Sequence, residues 1–402
     1  MKTIVIFPAL LFALACGVQA QESWVTQNSG FTTILHSVDF VDSNTGWIDG
    51  GLKTTNGGAT WTYLASGGGE AEDFIDANAG YCAGTDGHIS KTTNGGTNWT
   101  VNNSFLGSAS FNAVHFANTN VGWIAGGSPP SPAYILKTTN GGTNWTSQSF
   151  SAISTLKSIH FVDANTGWAV GTIANTGGGA VLKTTNAGVS WFSQADSAVN
   201  GLSSVYFVNA NTGWAVSGYG QMIKTTNGGT TWVTQYSSTI YGFNSVQFLD
   251  LNTGYAVGGS IGNIILKTTN GGTNWAIQFR DSVATHSLSC VHFVDATHGW
   301  AVGTKGVILK HIGIPVSVLP NKLSTEYFGI SNSGQLCYQV PYSSQVSVLL
   351  FDPNGRLKLK LFDGYQMAGN HALPLPAQLP GVRLLDLRIG DFHKAIALSG
   401  QK

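Results

Sequence analysis

Lys137-Thr138-Thr139-Asn140-Gly141-Gly142-Thr143-Asn144-Trp145 decides the fold, because the same string returns five more times along the chain. KTTNGGATW begins at Lys53, KTTNGGTNW at Lys91 and Lys267, KTTNAGVSW at Lys183 and KTTNGGTTW at Lys224. A second string precedes each copy: FVDSNTGW at Phe40, FIDANAGY at Phe74, FANTNVGW at Phe116, FVDANTGW at Phe161, FVNANTGW at Phe207 and FLDLNTGY at Phe248. A seventh, FVDATHGW at Phe293, runs into VILKHIG, and there the repetition stops. From lysine to lysine, ending at Lys310, the spacings are 38, 46, 46, 41, 43 and 43 residues. Units of this length with four strand-sized segments each describe propeller blades.

One unit shows how the residues make a blade. Residues 158–162 form an inner strand, and Asp163-Ala164-Asn165-Thr166-Gly167 a turn in which Asx side chains hold backbone amides. Residues 168–171 and 180–184 give the second and third strands, and residues 191–194 the outer one. The seventh unit lacks its outer strand. SWVTQNSG from Ser23 matches TWVTQYSS from Thr231, so Trp24 aligns with Trp232 and the N-terminal strand completes the last blade. Closure removes the open edges that invite aggregation. The fold expected is therefore all-β: a seven-bladed propeller over residues 21–313, a linker at 314–324 and a small β-sandwich over 325–402. In the last segment, residues 335–340, 345–351, 356–361 and 382–389 read as strands between Pro, Gly, Asn and Asp turns.

The composition agrees. Of 402 residues, 52 are glycine and only 9% are charged, with 19 basic residues balancing 19 acidic ones. Such a chain has no electrostatic footprint for nucleic acid or an anionic membrane. Residues 1–20 read as a secretory signal, with Lys2, an apolar run and a small-residue cleavage site after Ala20. Cys16 leaves lipidation open. Cys82, Cys290 and Cys337 lie in apolar strand contexts without paired spacing, so buried free thiols are expected.

TTNGGTNW resembles the Asp-box (BNR) pattern, S/T-x-D/N-x-G-x-x-W, which implies a turn between the third and fourth strands of a blade. Asn56, Asn94, Asn140, Asn186, Asn227 and Asn270 stand where that family usually has Asp. An amide still makes the turn-stabilising bonds, but the anion is gone. With the NTGW string, residues 22–312 most resemble photosystem II stability and assembly factor-like propellers. That family carries basic patches, whereas Arg280 is the one arginine of this span. Past residue 340, Val346 through Phe351, Gly355-Arg356, Ala368-Gly369-Asn370-His371 and Leu379-Pro380-Gly381-Val382 resemble the sorting domains of type IX secretion substrates. This implies a partner in the outer-membrane secretion machinery, with the domain cleaved or kept as an anchor.

Periodicity also separates structure from site. Trp24, Trp61, Trp99, Trp145, Trp191, Trp232 and Trp275 open the outer strands, and Trp47, Trp123, Trp168, Trp214 and Trp300 follow the NTG turn. Their regularity assigns them to blade packing, not to a sugar platform. His115, His160 and His292 share one repeat position with Asp39, Asp73, Tyr206 and Gln247, which suits polar residues around a central channel. The repeat lysines read as structural, through bonds to turns or between blades. No cofactor, metal or catalytic residue is expected. Function is sought in the irregular loops of the opposite face, with Tyr236, Tyr241, Phe243, Arg280, Asp281 and His286 as ligand-surface candidates. The reading is an exported, monomeric, non-catalytic scaffold for an extracellular protein or glycan. The alternative is a glycoside hydrolase drawing two acids from Asp49, Glu70, Glu72, Asp86, Asp196 and Asp281, since such chemistry needs a carboxyl pair.

Overall fold

Short Thr-, Val- and aromatic-rich segments between glycine turns favour strands over helices, and among the described residues the computed structural model is all-β apart from one 3-10 turn at Thr304–Gly306. It describes residues 23–64, 67–102, 109–194, 196–281, 286–312, 328–330, 335–340, 344–366, 369–376, 384–389 and 392–397. The leader, the linker and residues 379–382 of the sorting-domain string lie outside these. The chain divides into a unit spanning Glu22–Gly313 and a second one that includes Ile314–Lys402.

Within the first unit, among the described residues, seven antiparallel meanders follow one another. Their inner strands are Val38–Phe40, Ala71–Phe74, Phe111–Phe116, Ile153–Phe161, Leu202–Phe207, Phe243–Phe248 and Leu288–Phe293. Each inner strand touches the next, and the last touches the first, so the sheets form a closed ring of blades. The seventh blade is completed by Ser23–Gln27, which pairs antiparallel with Ile308–Ile312, placing Trp24 opposite His311. Blade 4 departs from its sequence reading. Its hairpin strands run Gly167–Ile173 and Gly178–Thr184, extending past the 168–171 and 180–184 expected, and Asp196–Asn200 adds a fifth strand.

A repeated aromatic sandwich holds neighbouring blades together. The phenylalanine ending each inner strand stacks on the ring that follows the NTG turn of the preceding blade. Trp47 lies 3.7 Å from Phe74, Trp168 3.5 Å from Phe207 and Trp214 3.5 Å from Phe248. Trp300 closes the circle on Phe40 at 3.4 Å. The outer-strand tryptophan of the same blade meets each phenylalanine edge-on, as Trp191 does Phe161 at 5.8 Å and 84°. Trp24 does this for Phe293 at 5.7 Å and 90°, the place its alignment with Trp232 requires. Stacked and edge-on pairs add about 0.5–1.5 kcal/mol each beyond burial. The NTG glycine is needed because the phenylalanine covers it: a Cβ at Gly167 would lie 2.5 Å from the Phe161 ring.

Polar latches reinforce the same seams. Trp168 Nε1 and Lys183 Nζ of blade 4 both donate to Gly228 O of blade 5, at 3.1 and 2.9 Å. Trp214 and Lys224 do the same to Gly271 O, and Trp47 and Lys53 to Gly95 O. Each of these lysines also sits over the ring beside it, Lys183 at 5.1 Å from Trp168. The lysines are thus interblade ties. Within the box turn, Asn227 Oδ1 accepts from Thr231 N at 2.9 Å, and Asn227 Nδ2 donates to Thr231 Oγ1 at 2.9 Å. Asn186 and Asn56 repeat the second bond with Ser190 and Thr60, which a carboxylate could not make. Asn227→Ala should therefore cost about 1–2 kcal/mol in urea unfolding. Asn227→Asp, which keeps the acceptor and loses only the donor, should cost less; equal losses would contradict this account of the turn.

The second unit holds a three-stranded and a four-stranded sheet among the described residues. Leu336, Tyr338 and Val340 of one sheet share a core with Val346, Val348, Leu350, Leu385, Leu387 and Ile389 of the other, which is a β-sandwich. Cys82, Cys290 and Cys337 are free thiols; Cys82 is buried and the other two are half-buried.

Candidate ligand surface

A four-stranded meander puts its first and third turns at one end and its second turn, with the link to the next blade, at the other. The first end carries the repeated strings, tied to each other by bonds such as Gly228 N to Asn211 O at 2.8 Å. The opposite end carries the irregular loops, where the six candidate residues fall.

These six residues divide into three roles. The Arg280 guanidinium, at the end of the outer strand Ala276–Arg280 of blade 6, lies at 5.9 Å over the ring of Tyr241 on the link before that blade. Tyr236 is half-buried and meets Phe243 edge-on at 5.8 Å. Phe243 itself is fully buried in the core between blades 5 and 6 and presents nothing to solvent, which corrects its assignment to the surface. It opens an inner strand opposite Gly258, as Phe111 does opposite Gly126 and Leu202 opposite Ser217. That recurrence of apolar residues is the signal that identifies it as core. Asp281 clamps the neighbouring loop, accepting from Asn263 N at 2.9 Å and from Asn263 Nδ2 at 2.8 Å. His286 Nδ1 stands 3.1 Å from the same carboxylate. Of the six, Arg280 is exposed, while Tyr236 and Tyr241 are half-buried with their rings against the core between blades 5 and 6.

Three large exposed side chains that the sequence reading did not assemble as a group lie on consecutive loops of the same face: Tyr219, Ile240 and Ile261. Backbone bonds hold those loops in register, with Ser238 N donating to Gly220 O at 2.9 Å and Gly242 N to Ser260 Oγ at 3.2 Å. The signal was an apolar residue next to Gly or Ser in a loop, which composition alone cannot separate from core. On the same face, between blades 3 and 4, a cavity of 560 Å³ is lined by Pro129, Pro130, Pro132, Ile153, Ile173 and Asn175, among others. The three prolines of one loop and the long hairpin of the next were its sequence marks.

The polar ring around the channel is a set of interblade bridges more than a watery lining. Gln247 Nε2 donates to Phe293 O at 3.0 Å while its Oε1 accepts from Phe293 N at 2.7 Å. His160 Nε2 lies 3.0 Å from Phe207 O, and His292 Nε2 3.0 Å from Phe40 O. Asp39 and Asp73 accept from Phe74 N and Phe116 N. Burial pushes the His115 imidazole down to about 3, with the neighbouring His160 adding to it, and His160 down to about 4. Burial likewise raises Asp73 and Glu72 well above the usual carboxylate range. Glu72 accepts from Gly50 N, and Asp49 from His36 N and Ser37 N at 2.9 Å each. These carboxylates bind backbone amides, and the Asp196 side chain lies outside the described residues. Among the described residues no group of His, Cys, Asp and Glu could hold a metal ion.

A closed ring of four-stranded meanders with loops gathered at one end defines a β-propeller. Residues 70–232 match the sequence model of the family described as photosynthesis system II assembly factor YCF48, to which this stretch is similar. YCF48 from Cyanidioschyzon merolae is similar in fold, at 19% identity over 72% of this chain and 98% of its own, with a TM-score of 0.56. A structure titled YCF48 bound to D1 peptide matches at 18% identity, over 72% and 97% of the two chains, with a TM-score of 0.57. The WD40 propeller domain of Doa1 matches at 12% identity, over 73% and 98%, with a TM-score of 0.55. The chain matches no curated protein by sequence.

Proposed function

We propose that the protein is an exported, non-catalytic interaction scaffold that binds a protein partner on the irregular face of blades 5 and 6. One observation carries this reading: Tyr219, Ile240 and Ile261, at 71%, 52% and 48% exposed, stand on consecutive loops beside the Tyr241–Arg280 pair. Exposed apolar groups gathered on one rigid surface mark interaction sites, and Tyr and Arg are typical anchors of such contacts. YCF48 bound to a D1 peptide supports the idea that a ring of this build can hold a polypeptide. Export rests on the leader over residues 1–20, and passage through or anchoring at the outer membrane on the sorting-domain resemblance of the last segment.

Arg280→Ala and Tyr241→Ala should each weaken partner binding by about 1 kcal/mol or more in titration calorimetry, with unchanged melting. Asn140→Ala should lower stability and leave affinity alone. Binding lost only through Asn140 would move the site to the opposite face. Hydrolysis of any member of a glycoside panel by the same preparation would overturn the non-catalytic reading.

A further inference from the structure

At one blade seam the repeat lysine makes neither half of the latch. Lys53, Lys91, Lys183 and Lys224 make both the carbonyl bond and the ring contact, and Lys267 and Lys310 keep the ring contact. In the strings at Lys53, Lys91, Lys137, Lys224 and Lys267 the residue after Asn is glycine, and in KTTNAGVSW it is Ala187. Ala187 adopts the same left-handed backbone as those glycines, with φ at 60° against 65° for Gly95 and Gly141. The difference is its methyl group. A Cβ placed on Gly57, Gly95, Gly141, Gly228 or Gly271 would lie 2.8, 2.5, 3.0, 2.5 or 2.9 Å from the Nζ of the preceding blade's lysine. At Ala187 that space is filled. Trp123 Nε1 still donates to Ala187 O at 3.1 Å, but the Lys137 ammonium, which the latch would bring to the same carbonyl, reaches neither it nor the Trp123 ring. Lys53, Lys91, Lys183, Lys224, Lys267 and Lys310 all lie over their rings.

The released ammonium lines a cleft of 350 Å³ between blades 3 and 4 on the repeat face, with Thr139, Asn140, Asn144, Gln148 and Val189. No carboxylate lines it. The donors there are Lys137 Nζ and the Asn140 and Asn144 amides. Gln148 is held in place by its Nε2 bond to Gly188 O at 2.7 Å, which leaves its Oε1 as an acceptor. Val189, 69% exposed, supplies an apolar patch. A cation with amides suits an oxyanion, and mixed amide donors and acceptors beside an aliphatic group suit hydroxyls and C–H faces. The cleft is large enough for one small ring.

We infer that the Ala187 methyl group frees Lys137 to bind a carboxylate borne on a hydroxylated ring, a sugar acid, in the cleft between blades 3 and 4. This site is independent of the face assigned to the protein partner.

Titration of the whole protein with glucuronate, glucose, acetate and sulfate, followed by NMR of a ¹⁵N-labelled sample, tests it. Glucuronate should shift the Lys137, Asn144 and Val189 amides with a Kd of about 1 mM, acetate more weakly, and glucose not at all. Sulfate binding as tightly as glucuronate would overturn the sugar-acid assignment. Lys137→Gln should abolish the shifts. Ala187→Gly should draw Lys137 back into the latch, weakening glucuronate at least about fivefold while raising the melting temperature, so that lost binding cannot be misread as misfolding. Gly141→Ala should free Lys91 and lower the melting temperature. An Ala187→Gly variant that binds glucuronate as the wild type does, or a wild type silent to about 10 mM, contradicts the inference.

Discussion

Deleting residues 21–30 should lower the melting temperature by more than ten degrees or so, or leave the protein insoluble. The deletion removes the strand Ser23–Gln27, so Ile308–Ile312 loses its antiparallel partner and becomes an exposed edge. It also removes Trp24, which is 7% exposed and packs on Tyr255, Phe293 and His311. Loss of a core tryptophan alone costs about 3–5 kcal/mol, and a shift of 1 kcal/mol moves the midpoint of a domain of this size by roughly 2–4 °C. Trp24→Ala separates the two contributions, since it keeps the strand. Differential scanning calorimetry reads both, and an unchanged midpoint for the deletion would rule closure out.

Acidification should destabilise the ring through His115 and His160. Both are held neutral in the fold, at about 3 and 4, against 6.5 when unfolded. Their stabilising effect is complete above pH 6.5. Below it the unfolded chain takes up protons that the folded one refuses, so stability falls as pH drops toward the folded values. The slope is about 1.4 kcal/mol per pH unit for each histidine. Asp73 and Glu72, raised by burial, act in the opposite sense, because protonation relieves their desolvation. A variant comparison isolates the imidazoles. Gln247 fills the same position in blade 6 with bonds to Phe293 N and O, so His115→Gln with His160→Gln should be tolerated. Urea unfolding from pH 6.5 to 4.5 should show a slope shallower than wild type by about 2–3 kcal/mol per unit. Parallel curves would mean that the imidazoles are charged in the fold.

The ring was legible because every blade relies on the same few residues, and repetition turns weak local signals into a strong one. The closing strand was legible for the same reason, since SWVTQ copies TWVTQ. What stacks on what was not. Trp168 and Phe161 belong to one unit, yet Trp168 stacks on Phe207 of the next blade, and a period alone cannot separate contacts within a unit from contacts between units. Phe243 was misplaced because the start of an inner strand and the end of a link have the same composition. The Tyr241–Arg280 contact joins the link before blade 6 to the end of that blade's outer strand, a proximity set by the meander, which no local pattern encodes. Ala187 was visible as the one departure from Asn-Gly-Gly, but its meaning depends on where the lysine of the preceding blade ends.

The central claim is that a symmetric frame carries its partner on the asymmetric loops. Photo-crosslinking tests it most directly, with benzoylphenylalanine placed at Ile240 or Ile261 on the irregular face and at Thr143 or Thr273 on the repeat face, in cells that express the full chain. The account predicts discrete protein adducts from Ile240 and Ile261 that vanish with Arg280→Ala, and none from Thr143 or Thr273. Adducts from the threonine positions alone would contradict it.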